Sequence, residues 1–136
     1  MEQVQKIIVS GILENTEGVL LAKRPLTKKI APGKYHLPGG HVEFGEDPGV
    51  ALKREFFEEF NLNIEVGEVV RTFSYHEDAR HTVGITYKVE ATNLLDLIFN
   101  PEDTEEIVWA KEFDFNDYLA EDRHDYLTLR KYFSFK

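Results

Sequence analysis

Between Asp47 and Asn61 a proline follows an acid, an unbroken run continues from Ala51 to Phe60, and an asparagine ends it. Asp caps helix N-termini, Pro fits the first helical position, and Asn tolerates the left-handed conformation at a helix end. The pattern predicts a helix over residues 48–60. At about 100° per residue, Leu52, Phe56 and Phe60 share one sector flanked by Val50 and Phe57, while Glu55, Glu58 and Glu59 share another. One face therefore seeks a core, and the adjoining face gathers three carboxylates. Ala51 lies one turn before Glu55 in the acidic sector, and its short side chain is expected to leave room there for ions and a ligand.

Carboxylates at i, i+3 and i+4 repel one another and weaken an isolated helix. A divalent cation removes that penalty. Donors made only of oxygen select hard ions, so Mg²⁺ or Mn²⁺ is the expected metal, with waters and substrate phosphates completing its shell. The plain alternative is a solvated acidic face, and the flanking residues weigh against it.

Gly40, five residues, Glu46, seven residues, then Arg54-Glu55-Phe56-Phe57-Glu58-Glu59-Phe60-Asn61-Leu62 resembles the signature of the Nudix hydrolases, in which an REUxEExGU run (U apolar) follows a glycine and a glutamate. Every spacing matches over residues 40–62. The one departure is Asn61 in place of glycine, and Asn is the next best residue for a positive φ. The resemblance implies a metal-activated water that cleaves the phosphate chain of a nucleoside diphosphate linked to another group. It implies Glu55, Glu58 and Glu59 as principal metal ligands and the Gly40 carbonyl as a further one. Glu58 is the first choice for a carboxylate that also helps deprotonate the water, and Glu46 with Arg54 form a structural pair holding the loop on the helix.

Length and composition point to one domain over residues 1–136. The chain has no cysteine, hence no disulfide framework or thiolate metal site, and its start lacks the apolar stretch of a signal peptide. A cytoplasmic protein without membrane association, monomer or homodimer, is the expectation. A net charge of −9 argues against binding long nucleic acid, whereas a small nucleotide substrate can be held by metals and a few cations.

Strands are expected over Val4 to Leu13 and Gly18 to Ala22, joined by a turn at Asn15 to Gly18. Two more are expected over Asn63 to Ser74 and Thr82 to Ala91, with the polar stretch His76 to His81 as their connection. A short strand over Ile107 to Ala110 and a terminal helix over Asp122 to Phe133 complete the pattern, the helix presenting Tyr126, Leu127, Leu129 and Tyr132 or Phe133 inward. Leu26 to Lys34 reads as a loop. The class is α+β, and the resemblance implies the Nudix fold, an α/β/α sandwich with a mixed β-sheet.

The resemblance also points to residues outside the signature. Glu105, in the acidic segment Pro101 to Glu106 ahead of Trp109, is the candidate for an additional metal ligand or base, the alternative being a solvated loop. Arg24 resembles an arginine that contacts phosphate. His36, in the Tyr35 to Pro38 strand, and the acids Glu121, Asp122 and Asp125 stand where relatives read the nucleobase, although Asp122 also suits a helix N-cap. His76 and His81 show no zinc pattern. No proline lies between Pro48 and Pro101, which disfavours the NADH and ADP-ribose classes of the family. The pattern most resembles the MutT-like nucleoside triphosphate pyrophosphohydrolases, which yield a monophosphate and pyrophosphate. Dinucleoside polyphosphates, with Tyr75 near the position of a tyrosine in that class, and other nucleoside diphosphate derivatives are the alternatives. A non-catalytic nucleotide sensor is the reading from another class, and the intact carboxylates of the signature speak against it.

Overall fold

The structure, a computed structural model, describes residues 2–135. Among these, the strands are β1 (Val4–Asn15), β2 (Gly18–Lys23), β3 (Tyr35–His36), β4 (Gly39–His41), β5 (Ile64–Glu77), β6 (Arg80–Ala91) and β7 (Glu106–Ala110). The helices are α1 (Pro48–Phe60) and α2 (His124–Ser134), with 3₁₀ turns at Leu94–Asp96 and Phe115–Asp117. The sheet runs in the order β3-β2-β1-β6-β5, with β4 also paired to β1 and β7 to β2. It is mixed, because β1 runs parallel to β6, Val4 facing Arg80 through Leu13 facing Val89, while the other pairs are antiparallel.

Alternation along β1 and β2 divides the core between the two faces. Val9, Leu13, Leu20 and Ala22 turn to one side and meet Leu52, Phe56 and Phe60 of α1. Ile12, Val19 and Leu21 turn to the other and meet Leu129 and Phe133 of α2. The result is the expected α/β/α sandwich. Phe56 lies so close to the sheet that a Cβ on Gly11 would stand 2.8 Å from its ring. Burying Leu52, Phe56 and Phe60 completely contributes about 2 kcal/mol apiece, which anchors the acidic face beside them.

Helix α1 has the expected bounds and caps. Asp47 accepts a hydrogen bond from the Gly49 amide at 2.9 Å. Asn61 takes φ 58° and sends its N–H back to the carbonyls of Phe56 and Phe57. The first hairpin also forms as expected, with Asn15 Oδ1 accepting from the amides of Glu17 and Gly18 at 2.8 and 3.2 Å.

Four details differ. His76 and His81 do not bracket a loop: they face each other across β5 and β6, and Asp78, at φ 53°, and Ala79 make the turn. Polar residues extend the hairpin because its tip has no core to cover. Of the Tyr35 to Pro38 strand only Tyr35–His36 forms, as β3 on β2, because Pro38 has no N–H to donate to a ladder, and a separate strand, β4, follows on β1. Helix α2 begins at His124, its N-cap position is held by Arg123 without a side-chain cap, and Asp122 lies outside it. Within α2, Leu127 is 37% exposed and Thr128 is buried instead. Arg71 Nη1 reaches the Thr128 hydroxyl at 3.2 Å, and that bond favours the buried hydroxyl.

Candidate active site

The acidic face of α1 meets the backbone of β4 at Gly40. A Cβ at Gly40 would lie 2.4 Å from the Glu55 carboxyl carbon, so only glycine lets that carboxylate approach the strand. Ala51 does not open space here, because it is fully buried in the core under α1. The opening is supplied by the missing side chain at Gly40.

Arg54 organises the ledge. Its Nε and Nη2 donate to the two Glu46 oxygens, both at 2.9 Å, Nη2 also donates to the His41 carbonyl at 3.0 Å, and Nη1 donates to Glu55 at 3.0 Å. This two-pronged pair ties the Glu43–Asp47 loop to the helix. The Arg54 hydrogen bonds hold the Glu46 carboxyl down at about 2. Glu58 makes only a long 3.5 Å contact to Arg54 and keeps its side chain 56% exposed.

Glu59 is the most perturbed carboxyl of the ledge. Burial, reinforced by the neighbouring charges of Glu55 and Asp103, pushes it up to about 8. Burial also raises Glu55, opposed by Arg54 and aided by Glu58 and Asp103. The fourth acid bearing on this cluster is thus Asp103. Glu105 is turned to Lys23, 3.0 Å away, and its amide donates to the Lys23 carbonyl. Asp103 is set in place by a turn in which its amide and that of Thr104 donate to the Asn100 carbonyl, while the Asn100 amide donates to the Glu59 carbonyl at 2.9 Å. Sequence reasoning passed over Asp103. Its signal was the Asn100-Pro101 pair, a turn initiator that docks the acid on the end of α1.

Arg24 stands between the ledge and β3. Its charge bears on Glu59, His41 and His36, and its Nε donates to the Ile30 carbonyl at 2.7 Å. His36 Nδ1 donates to the Leu37 carbonyl at 2.8 Å, which leaves Nε2 as a bare acceptor, buried and without a hydrogen-bond partner. Burial lowers the His36 pKa, which favours the neutral imidazole. Of the three acids near α2, Asp125 reaches this corner. Its carboxylate accepts the Leu37 amide at 2.9 Å, and burial raises its pKa. Glu121 and Asp122 are exposed in the turn before the helix. The first turn of α2 is held by Arg71, whose Nη1 donates to the His124 carbonyl at 3.2 Å, and by the His124 ring stacked on Phe73 at 4.2 Å. Neither Arg71 nor His124 stood out in the sequence, because each gains meaning only through a partner more than fifty residues away.

The donor chemistry fits a hard divalent cation: the carboxylates of Glu55, Glu58 and Glu59 with Asp103 bearing on them, the backbone of Gly40 against Glu55, and a largely buried carboxyl at Glu59 whose charge Arg24 only partly offsets. Among the described residues no three acidic or histidine side chains are gathered closely enough to hold a metal ion. An ion bound here would draw on waters and phosphate oxygens as well as on these carboxylates.

Comparison with known proteins gives the family and the fold. The NUDIX domain family matches residues 4–132. The nucleoside triphosphatase NudI of Enterobacter sp. (strain 638) is 30% identical, the alignment covering 78% of this chain and 82% of that protein. Among solved structures, the E. coli ORF135 protein superposes with a TM-score of 0.77 at 26% identity, covering 97% of this chain and 91% of that one. The MutT protein of Methanosarcina mazei Go1 superposes with a TM-score of 0.82 at 18% identity over 100% and 99% of the two chains. No helix among the described residues is long and apolar enough to cross a membrane. With the match running from β1 into α2 and the signature carboxylates displayed on α1, the chain belongs to the NUDIX family of hydrolases.

Proposed function

We propose that, among the nucleoside diphosphate-linked compounds on which this family acts, the substrate is a nucleoside triphosphate, cleaved to a monophosphate and pyrophosphate with Mg²⁺ or Mn²⁺. The observation that carries the reading is the pairing of an acidic ledge, Glu55, Glu58, Glu59 and Asp103, with the guanidinium of Arg24 beside Glu59. A polyphosphate has use for both, since it brings oxygens to a bound cation and negative charge to an arginine. Similarity to a nucleoside triphosphatase supports the same class.

When bound, the divalent cation neutralises phosphate oxygens and acidifies a water molecule. Glu55, Glu58, Glu59, Asp103 and the Gly40 carbonyl would hold it, and Arg54 fixes Glu55 in position. Asp103 takes the place first given to Glu105, which is turned to Lys23. Glu58, solvent-facing and only loosely held by Arg54, is free to accept a proton from the attacking water. Arg24 meets the phosphate chain. His36 and Asp125 are assigned to the base end, where the buried, unpartnered Nε2 would accept an N–H from a nucleobase edge only once the residues covering it shift.

Hydrolysis of a panel of nucleoside triphosphates, nucleoside diphosphate sugars and dinucleoside polyphosphates in ¹⁸O-labelled water tests this reading. The expected products are a monophosphate and pyrophosphate, with label in one of them. Stepwise release of orthophosphate from the terminal position, or preference for a diphosphate sugar over every triphosphate, overturns it.

A further inference from the structure

The loop between β2 and β3 stands away from the core, with Leu26 74% and Ile30 64% exposed. It is nevertheless joined to the acidic ledge by one long-range contact. Lys28 Nζ donates to Asp103 Oδ1 at 3.2 Å, bridging parts of the chain 75 positions apart. Asp103, like Glu58, is an acid whose charge bears on both Glu55 and Glu59. Its own place is fixed from the other side, by the Asn100 turn on the end of α1. Lys28 therefore meets a carboxylate that is already positioned. Both partners are more than a third exposed or close to it, 34% and 39%, so the pair is one that water and ions can open.

We propose that Lys28 is a resident counter-ion of the ledge: its ammonium occupies Asp103 until a divalent cation replaces it, and the released ammonium then contacts the phosphate chain of the substrate. The inference rests on Asp103 as a metal ligand, the reading given above. The physical grounds are two. Lys28 holds Asp103 Oδ1 while Asn100 Nδ2 donates to Oδ2 at 3.4 Å, so a dication on this carboxylate meets two engaged oxygens and the repulsion of the ammonium, and the two cations compete. A lysine freed beside a bound polyphosphate has a flexible four-carbon stem and three donors with which to reach it. The β2–β3 loop also begins at Arg24, whose amide and carbonyl are bonded to Lys34 and Gly33, so any movement of Lys28 takes place between fixed ends.

The test measures Mn²⁺ binding by calorimetry to the whole protein without nucleotide, and then binding of inorganic triphosphate at saturating Mg²⁺. Lys28→Met should tighten Mn²⁺ about three- to tenfold, the scale of losing a competing surface ion pair, and weaken triphosphate by a similar factor. Lys29→Met should leave Mn²⁺ affinity unchanged, since Lys29 is not paired to Asp103. Asp103→Asn should weaken Mn²⁺, and adding Lys28→Met to it should then have no further effect on the metal. If Asp103→Asn leaves Mn²⁺ affinity unchanged, the metal-ligand reading of Asp103 fails. If Asp103→Asn weakens the metal but Lys28→Met does not tighten it, the counter-ion proposal fails alone. Tighter metal with unaltered triphosphate binding overturns the transfer of Lys28 to the phosphate chain.

Discussion

Replacing Glu59 by Gln separates the electrostatics of the ledge from its shape. The Glu59 carboxyl rises from an ordinary 4.5 to about 8 in the folded protein, mainly through burial. In the metal-free protein the folded state therefore keeps this proton while the unfolded chain has lost it. Below pH 4.5 both states are protonated and the group adds no pH dependence. As pH climbs from there toward 8, the unfolded state gains by ionising and the folded state does not, so stability falls; above about 8 the loss levels off. Between pH 6 and pH 8 the difference between the two states falls from nearly one proton to about half of one, which integrates to about 2 kcal/mol. For a protein of this size that is about 8 °C in Tm. Thermal unfolding followed by circular dichroism in EDTA should show the wild type losing about that much more than Glu59→Gln over this interval. Added Mg²⁺ should raise the wild-type Tm more at pH 8 than at pH 6, because the ion binds the ionised carboxylate. Parallel Tm curves for the two proteins from pH 5 to pH 9 would show that the buried carboxyl is not ionised at the expense of the fold.

Glu58→Gln should lower kcat by about a hundredfold or more while leaving Tm unchanged or slightly raised, as a repelling charge leaves the helix; steady-state kinetics at saturating Mg²⁺ check it, and nearly full activity would remove Glu58 from catalysis. Gly40→Ala should push the Glu55 carboxylate off β4, given the 2.4 Å approach, and weaken Mn²⁺ binding at least tenfold by calorimetry; unchanged affinity would mean that Glu55 has other ways to reach the ion. Asn61→Ala should destabilise by about 1 kcal/mol, since alanine lacks the tolerance of Asn for a positive φ, as read from urea unfolding. His36→Ala should alter the ratios of kcat/KM among bases while preserving Mn²⁺ affinity, whereas uniform loss across all triphosphates would assign His36 to folding or to the phosphate site.

Helix α1 was legible because everything that makes it is local: a cap, a proline, an apolar stripe at helical spacing and an asparagine in the last position. Its carboxylate face could be read for the same reason. Contacts formed across the fold could not. Glu105 and Asp103 are equivalent acids on paper, and only the docking of Asn100 against Glu59 and the position of Lys23 separate them. Ala51 seemed to offer space because the helical wheel shows direction but not what packs there. Asp122 looked like a cap, yet Arg71, Phe73 and His124 draw the helix start two residues later. Asp125 could be named as a candidate, but not its bond to the Leu37 amide, 88 positions away.

The parallel pairing of β1 with β6 has a consequence for how this protein comes into being. Its first aligned residues, Val4 and Arg80, are separated by almost all of the catalytic ledge, so the chain must close a loop that contains β4, the signature segment and α1 before the central ladder can zip. Contacts of such sequence separation are slow to form. On a ribosome the acidic helix leaves the tunnel well before β6 completes the ladder beside β1. During that interval α1 has three carboxylates to keep it soluble on one face and three bare apolar side chains, Leu52, Phe56 and Phe60, on the next. The charges arranged for a metal in the mature protein are thus also expected to help keep the nascent chain soluble, so a substitution that neutralises them should lower yield as well as turnover.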